Sequence, residues 1–174
     1  MTDQPLFLVL IAASLAATFA VLWFRRQRAP RKRTSDESWI LVDGSNVMHW
    51  QDNTPNLAPV LAVVRQVIDQ GHVPGVVFDA NAGWKLEGRY LHDGDFARLL
   101  GLKTRQVKVV PKGTQADPFL LHTAREFGAR IVTNDRFRDW ADAHPEVLEP
   151  GFLIRGFIRD GRVTLDRIAA TEVA

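Results

Sequence analysis

Trp39-Ile40-Leu41-Val42-Asp43-Gly44-Ser45-Asn46 decides the fold of this chain: four apolar residues in a row, then an acid, a glycine and two small polar residues. A continuous apolar run of this length predicts a strand buried on both faces, as in a parallel sheet covered by helices. Asp-Gly directly after it predicts a turn at the strand's carboxyl end. Three further runs repeat the theme at Val76–Phe78, Val107–Val110 and Ile131–Thr133. Helical patterns separate them. Val60, Val63, Val64, Val67 and Ile68 mark one face of a helix opening near Asn56 and closing at Gly71. A second helix is expected from Asp117-Pro118, read as an N-cap followed by proline, to just before Gly128, burying Leu120, Ala124 and Phe127. Asp93–Leu100 predicts a short helix, and Arg136–Ala143 another after the fourth strand. Phe152–Ile158 and Arg162–Leu165, flanking Asp160-Gly161, predict an edge hairpin. The expected class is α/β with a central, mainly parallel sheet in three layers.

The 174 residues divide into one such domain and an appendage. With 46% apolar and 24% charged residues the chain is neither disordered nor collagen-like, and the absence of cysteine excludes disulfides, thiolate metal sites and cysteine catalysis. Leu6 to Phe24 is 19 residues without a charge, roughly 28 Å of helix against a bilayer core of about 30 Å. Trp23 and Phe24 stand where an interfacial aromatic belt falls, and RRQRAPRKR follows at 25–33. A secretory signal carries its positive charges before the apolar run; here the only charge before it is Asp3. The expectation is a transmembrane anchor at 1–24, a basic linker at 25–38 and a domain at 39–174, single-pass in the cell membrane with the domain facing the cytoplasm. Six of the 22 basic residues lie in 25–33 and one of the 20 acids precedes Thr34, which leaves 16 basic against 19 acidic residues in the remainder. The basic segment reads as a topology signal attracted to anionic lipid.

Ligands of open parallel sheets bind beyond the carboxyl ends of the strands. Asp43, Asp79 and Asp135 each follow a strand, and Asp117 opens the helix after the third, so all four are expected on one rim. Converging carboxylates repel one another unless a divalent cation joins them, and oxygen donors suit Mg²⁺ or Mn²⁺. Lys112, Arg136 and Arg138 stand nearby in sequence. Cation and basic side chains together suit the cleavage of a phosphodiester. Plain structural readings stand beside this one. Asp117 serves equally as a helix cap, Asp43-Gly44 and Asn134-Asp135 as turn formers, and Asp79 as part of a polar loop. Asn46 can brace the Asp43 turn, Asp139 can pair with Arg136 or Arg138, and His49-Trp50 can simply pack.

Ile40 to Val47, Asp117-Pro118-Phe119-Leu120-Leu121 and Ile131 to Asp139 (IVTNDRFRD) occur in an order and spacing that resembles NYN domains of the PIN-like nuclease superfamily. The best match is the regnase-type branch, related to the ribonuclease part of CCCH zinc-finger ribonucleases, over about residues 39–158. The resemblance implies a PIN-like fold and a metal-dependent endoribonuclease with RNA as its partner. It implies Asp43, Asp117 and Asp135 as ligands of Mg²⁺ or Mn²⁺, Asn46 as the group orienting Asp43 or the attacking water, and Asp139 as an outer carboxylate. Lys112, Arg136 and Arg138 are expected at backbone phosphates from their position. The regnase-type enzymes often carry two adjacent acids at the central helix, whereas here Ala116 precedes Asp117. A chain without cysteine has no CCCH finger. The alternative is an RNA-binding or scaffold domain of the same fold with little turnover, tethered to the membrane; a homo-oligomer stays open. A haloacid-dehalogenase-like phosphatase requires an acid where Ser45 stands, and an Asp-x-Ser-x-Ser adhesion motif requires serine where Val47 stands.

Overall fold

The computed structural model describes residues 38–166. The expected span at 6–24 and most of the basic linker lie outside them. Among the described residues no helix is long and apolar enough to cross a membrane.

Strand β1 (Trp39–Asp43) enters the short helix α1 (Gly44–Val47), followed by α2 (Leu57–Asp69), β2 (Val73–Phe78), α3 (Ala82–Glu87), α4 (Asp93–Leu100) and β3 (Val107–Val109). Helix α5 (Ala116–Phe127), β4 (Arg130–Val132), β5 (Leu153–Ile154), β6 (Gly156–Arg159) and β7 (Arg162–Leu165) complete the order. Five strands form a sheet in the order β3-β2-β1-β4-β5, and every pairing in it is parallel. The apolar runs are continuous because successive side chains serve opposite faces. Ile40, Val42, Val76 and Phe78 face the core built on α2 and α4, whereas Leu41, Val77 and Ile131 face the core built on α5.

Helix α2 begins where expected, with the Asn56 side chain accepting the Ala58 N–H at 2.9 Å. It buries Val60, Val63, Val64 and Val67, one stripe of its surface. Helix α5 starts one residue before the expected cap. Gln115 is its N-cap and Asp117 lies inside the first turn, making no capping bond. The equal claim of Asp117 as a cap is thereby set aside, and its carboxylate is available elsewhere. Ala116 is buried in the α5 core, so an acid at that position would be driven into apolar surroundings.

Phe127, expected on the buried face of α5, is 40% exposed, and Leu121 is buried there instead. Other expectations are corrected as well. Arg136–Ala143 is not a helix; only a 3-10 turn forms at Arg138–Trp140. The Asp135 side chain accepts the Phe137 N–H at 2.8 Å, and the buried Phe137 takes a left-handed backbone with φ 47°. Such a turn competes with helical hydrogen bonding. Phe152–Ile158 is not one strand either: Leu153–Ile154 joins the parallel sheet beside β4, and the chain breaks at Arg155 before Gly156–Arg159 pairs with β7. The polar stretch after β2 contains α3, where only a loop was expected. The Asp160-Gly161 hairpin turn stands as expected, both residues having positive φ (51° and 71°), but β6 and β7 form a two-stranded sheet of their own rather than an edge of the parallel sheet.

Gly44 is required by space. A Cβ there would lie 2.5–2.8 Å from the ring of Phe78, which is fully buried and stacked on Phe96 with centroids 4.0 Å apart. Phe78 has no free volume to retreat into, so Gly44→Ala should cost about 1–3 kcal/mol by overpacking. A urea titration with a lowered midpoint and an unchanged slope would show it.

Candidate active site

From β1 the chain runs outward to β2 and β3, then returns to lay β4 on the other side of β1. The carboxyl ends of β1 and β4 therefore flank the switch point of the sheet, where the crevice of an open α/β fold lies. Asp43 ends β1 at this point. One of its carboxylate oxygens accepts the Asn46 backbone N–H at 3.0 Å, and the other accepts the Thr133 hydroxyl at 3.0 Å. Thr133 is fully buried, and its oxygen in turn accepts the Asp135 N–H at 3.0 Å. Only 8% of Asp43 is exposed. Burial pushes its carboxyl up to about 7; the Asn46 and Thr133 hydrogen bonds oppose this, and the charges of Asp117 and Asp79 add to it.

Asp117, half-buried in the first turn of α5, is also held above the usual carboxylate range. Desolvation is the main cause and the charge of Asp135 the next; the Trp140 side chain works the other way and Asp79 adds to the rise. Four carboxylates from three strand ends and one helix start thus act on one another. Asp79, read from sequence as loop chemistry, is one of them, since its charge reaches both Asp43 and Asp117. Ser45 fixes the loop that carries it, the Ser45 hydroxyl accepting the Asp79 N–H at 2.8 Å. As the side chains stand, no three His, Asp or Glu residues among those described are close enough together to grip a metal ion directly.

Asn46 does not hold Asp43 with its side chain. Its backbone N–H does that, while its amide oxygen accepts the Trp50 indole N–H at 2.8 Å and the Asn134 N–H at 3.0 Å. Asn46 therefore ties the β1 turn to the β4 turn. Trp50 packs beside the hairpin, where Gly156 leaves it room: a Cβ on Gly156 would lie 2.7–2.8 Å from the indole ring. Arg136, Arg138 and Asp139 line an open groove of about 530 Å³ together with Asn46, Asn134 and Asp135. Lys112, exposed in the loop after β3, is not part of that lining. A cavity of about 520 Å³, bordered by Trp39, Leu41, Phe119 and Phe127, includes none of the four acids. Arg155 was not singled out from sequence. Its guanidinium donates to the carbonyls of Asp135 at 2.7 Å and Thr133 at 3.4 Å. The lone basic residue in the Phe152–Ile158 run was its only signal.

The profile of the Zc3h12a-like ribonuclease NYN domain matches residues 36–150, from just before β1 to just before β5. The chain belongs to this family. Its α/β architecture with a central parallel sheet is the one expected from the apolar runs. Among solved structures, the chain is similar to the nuclear protein-only RNase P 2 (PRORP2) of Arabidopsis thaliana. One structure aligns with 17% identity and a TM-score of 0.49, over 95% of this chain and 37% of that one. A crystal structure of the same plant's nuclear proteinaceous RNase P 2 aligns with 20% identity and a TM-score of 0.49, over 75% of this chain and 29% of that one. The chain thus spans about a third of the length of these structures. No curated protein gives a significant match.

Proposed function

We propose that this NYN domain is a divalent-cation-dependent endoribonuclease that works at the carboxyl rim of its sheet. The observation that carries the reading is Asp43: a buried carboxylate at the switch point, hydrogen-bonded but facing other acids rather than a cationic side chain. A carboxylate so placed is ill at ease until a cation joins it. The donors are hard oxygens with no thiol or imidazole among them, which suits Mg²⁺ or Mn²⁺. Because the acids stand apart, binding through intervening waters fits better than a closed cage, and Mg²⁺ in particular keeps several of its waters.

In this reading Asp43, Asp117 and Asp135 hold the cation, with Asp79 adding negative charge and Asp139 serving as an outer carboxylate. When bound, the cation supplies positive charge that activates water and neutralises phosphoryl oxygens. Thr133 and the Asn46 N–H fix the Asp43 carboxylate. Arg136 and Arg138 hold backbone phosphates in the open groove, and Lys112 is the more remote candidate for the same task. Residues 6–24 tether the domain to a membrane with its active rim in the cytoplasm, a proposal that rests on the apolar span and the basic cluster behind it.

The test is cleavage of end-labelled single-stranded RNA by the full chain in Mn²⁺, Mg²⁺ or EDTA. Cuts are expected with either cation and none in EDTA, and Asp117→Asn or Asp135→Asn should slow them by about a hundredfold or more. A folded protein that binds RNA but cuts none under any of these conditions would replace the enzyme with an RNA-binding scaffold.

A further inference from the structure

The β6–β7 hairpin buries one face and leaves the other bare. Directly paired residues of antiparallel strands share a face, and the register sets Phe157 opposite Thr164 and Arg159 opposite Arg162. Those four residues form the outer face. Val163 and Leu165, on the other side, pack against the core with Trp50. Phe157 is 50% exposed, and the Arg159 guanidinium lies 5.6 Å from its ring centroid. A single exposed phenylalanine is ordinary on a protein surface. Here it sits beside a pair of arginines, in a domain whose remaining charge is on balance acidic.

The hairpin is also fixed to the acidic rim. The Asn134 amide donates to the Gly156 carbonyl at 2.8 Å and accepts the Gly156 N–H at 3.2 Å, so one side chain imitates a neighbouring strand. Arg155, at the root of the hairpin, donates to the Asp135 carbonyl at 2.7 Å. Of the acids near the hairpin, Asp160 lies in its turn, and Asp166 continues the outer face beyond Thr164, opposite Arg155, whose carbonyl accepts its N–H at 2.7 Å.

We propose that the outer face of the hairpin is a platform for single-stranded RNA. Phe157 stacks on an unpaired base, and Arg159 and Arg162 hold the phosphates beside it. Aromatic stacking flanked by arginine is the chemistry of single-strand binding, because every base has a π-face and guanidinium matches phosphate. Bases within a duplex are already stacked and give Phe157 nothing to meet. The platform rests on the ribonuclease reading of the adjacent rim and deepens it: the substrate is unpaired next to the scissile bond.

The experiment measures binding of a fluorescein-labelled oligouridylate to the full chain in EDTA, by anisotropy. Phe157→Ala and Phe157→Leu should each weaken binding about tenfold, Phe157→Tyr should restore it, and Arg159→Ala with Arg162→Ala should weaken it and flatten its salt dependence. Binding of blunt duplex RNA should be indifferent to the Phe157 variants. Wild-type affinity in Phe157→Ala, or in Phe157→Leu, would overturn the platform, as would a wild-type protein that does not bind the oligomer. The same proteins assayed for cleavage in Mn²⁺ separate the two readings. Cutting without any dependence on Phe157 leaves the nuclease and removes the platform. Binding through Phe157 without cutting keeps the platform and removes the nuclease.

Discussion

Asp43→Asn is expected to lower RNA cleavage by about 10³-fold or more while raising the melting temperature of the cation-free domain. The loss of activity follows from taking the central charge out of the acidic rim. The gain in stability follows from the same burial. Asp43 ionises near its ordinary value in the unfolded chain but only near about 7 in the folded one. Between those two values the unfolded state has given up the proton and the folded state has kept it. Stability contributed by the neutral carboxyl is therefore complete at low pH and is lost as pH rises toward 7. Asparagine is uncharged throughout and nearly the same shape, so the variant escapes that loss. The advantage should be on the order of 4 kcal/mol at neutral pH, or roughly 12 °C in the melt for a domain of this size. Melting curves in EDTA across pH are the check: the two proteins should converge near pH 4 and separate above it. A variant less stable than the wild type at neutral pH would sink this account of Asp43.

Asn46→Ala should cost both fold and activity. Its amide oxygen is the acceptor for two N–H groups, Trp50 Nε1 and the Asn134 backbone. Alanine leaves both donors without that partner, the Asn134 N–H open to water but the Trp50 indole half-buried, a penalty of about 1–3 kcal/mol that falls mainly on the indole. More important is what the Asn134 bond does. It holds the β4 turn against the β1 turn, so its loss frees the backbone that carries Asp135 and, through the Asn134–Gly156 pairing, the hairpin root. Turnover should fall by about 10²-fold, with most of the loss in kcat at saturating cation. Asn46→Asp keeps the acceptor and should keep most of the stability while adding a like charge to the rim. A variant with normal turnover but lowered stability would reduce Asn46 to a purely structural brace.

The central strands were legible because burial on both faces writes itself as an uninterrupted apolar run; Ile40-Leu41-Val42 needs no alternation when both cores want apolar side chains. The rim was legible for the same reason, since the first polar residue after each run marks the carboxyl end. What stayed hidden depended on contacts far apart in the chain. Leu153–Ile154 is a two-residue strand defined only by β4 beside it, and nothing local at Arg155 announces the break. Arg136–Ala143 has helical composition, yet the Asp135 side chain captures the Phe137 N–H and turns the chain away. Asp117 next to Pro118 imitates a cap, and a shift of two residues to Gln115 decides otherwise. Asp79 looked like loop chemistry because its relation to Asp43 and Asp117 crosses three elements. Asn46 was singled out correctly as a neighbour of Asp43, but the groups its side chain bridges could be known only from the folded chain.

The Asp43–Thr133 hydrogen bond joins residues 90 positions apart, and this sets an order of events during synthesis. The ribosome delivers β1, β2 and β3 before β4, the strand that completes the switch point, and the hairpin that braces it comes last. Parallel pairing over such separations cannot be anticipated by local structure. A half-made chain thus carries Asp43, Asp79 and Asp117 without the Thr133 hydroxyl and the β4 turn that complete the crevice, so the rim comes into being only when the domain closes as a whole.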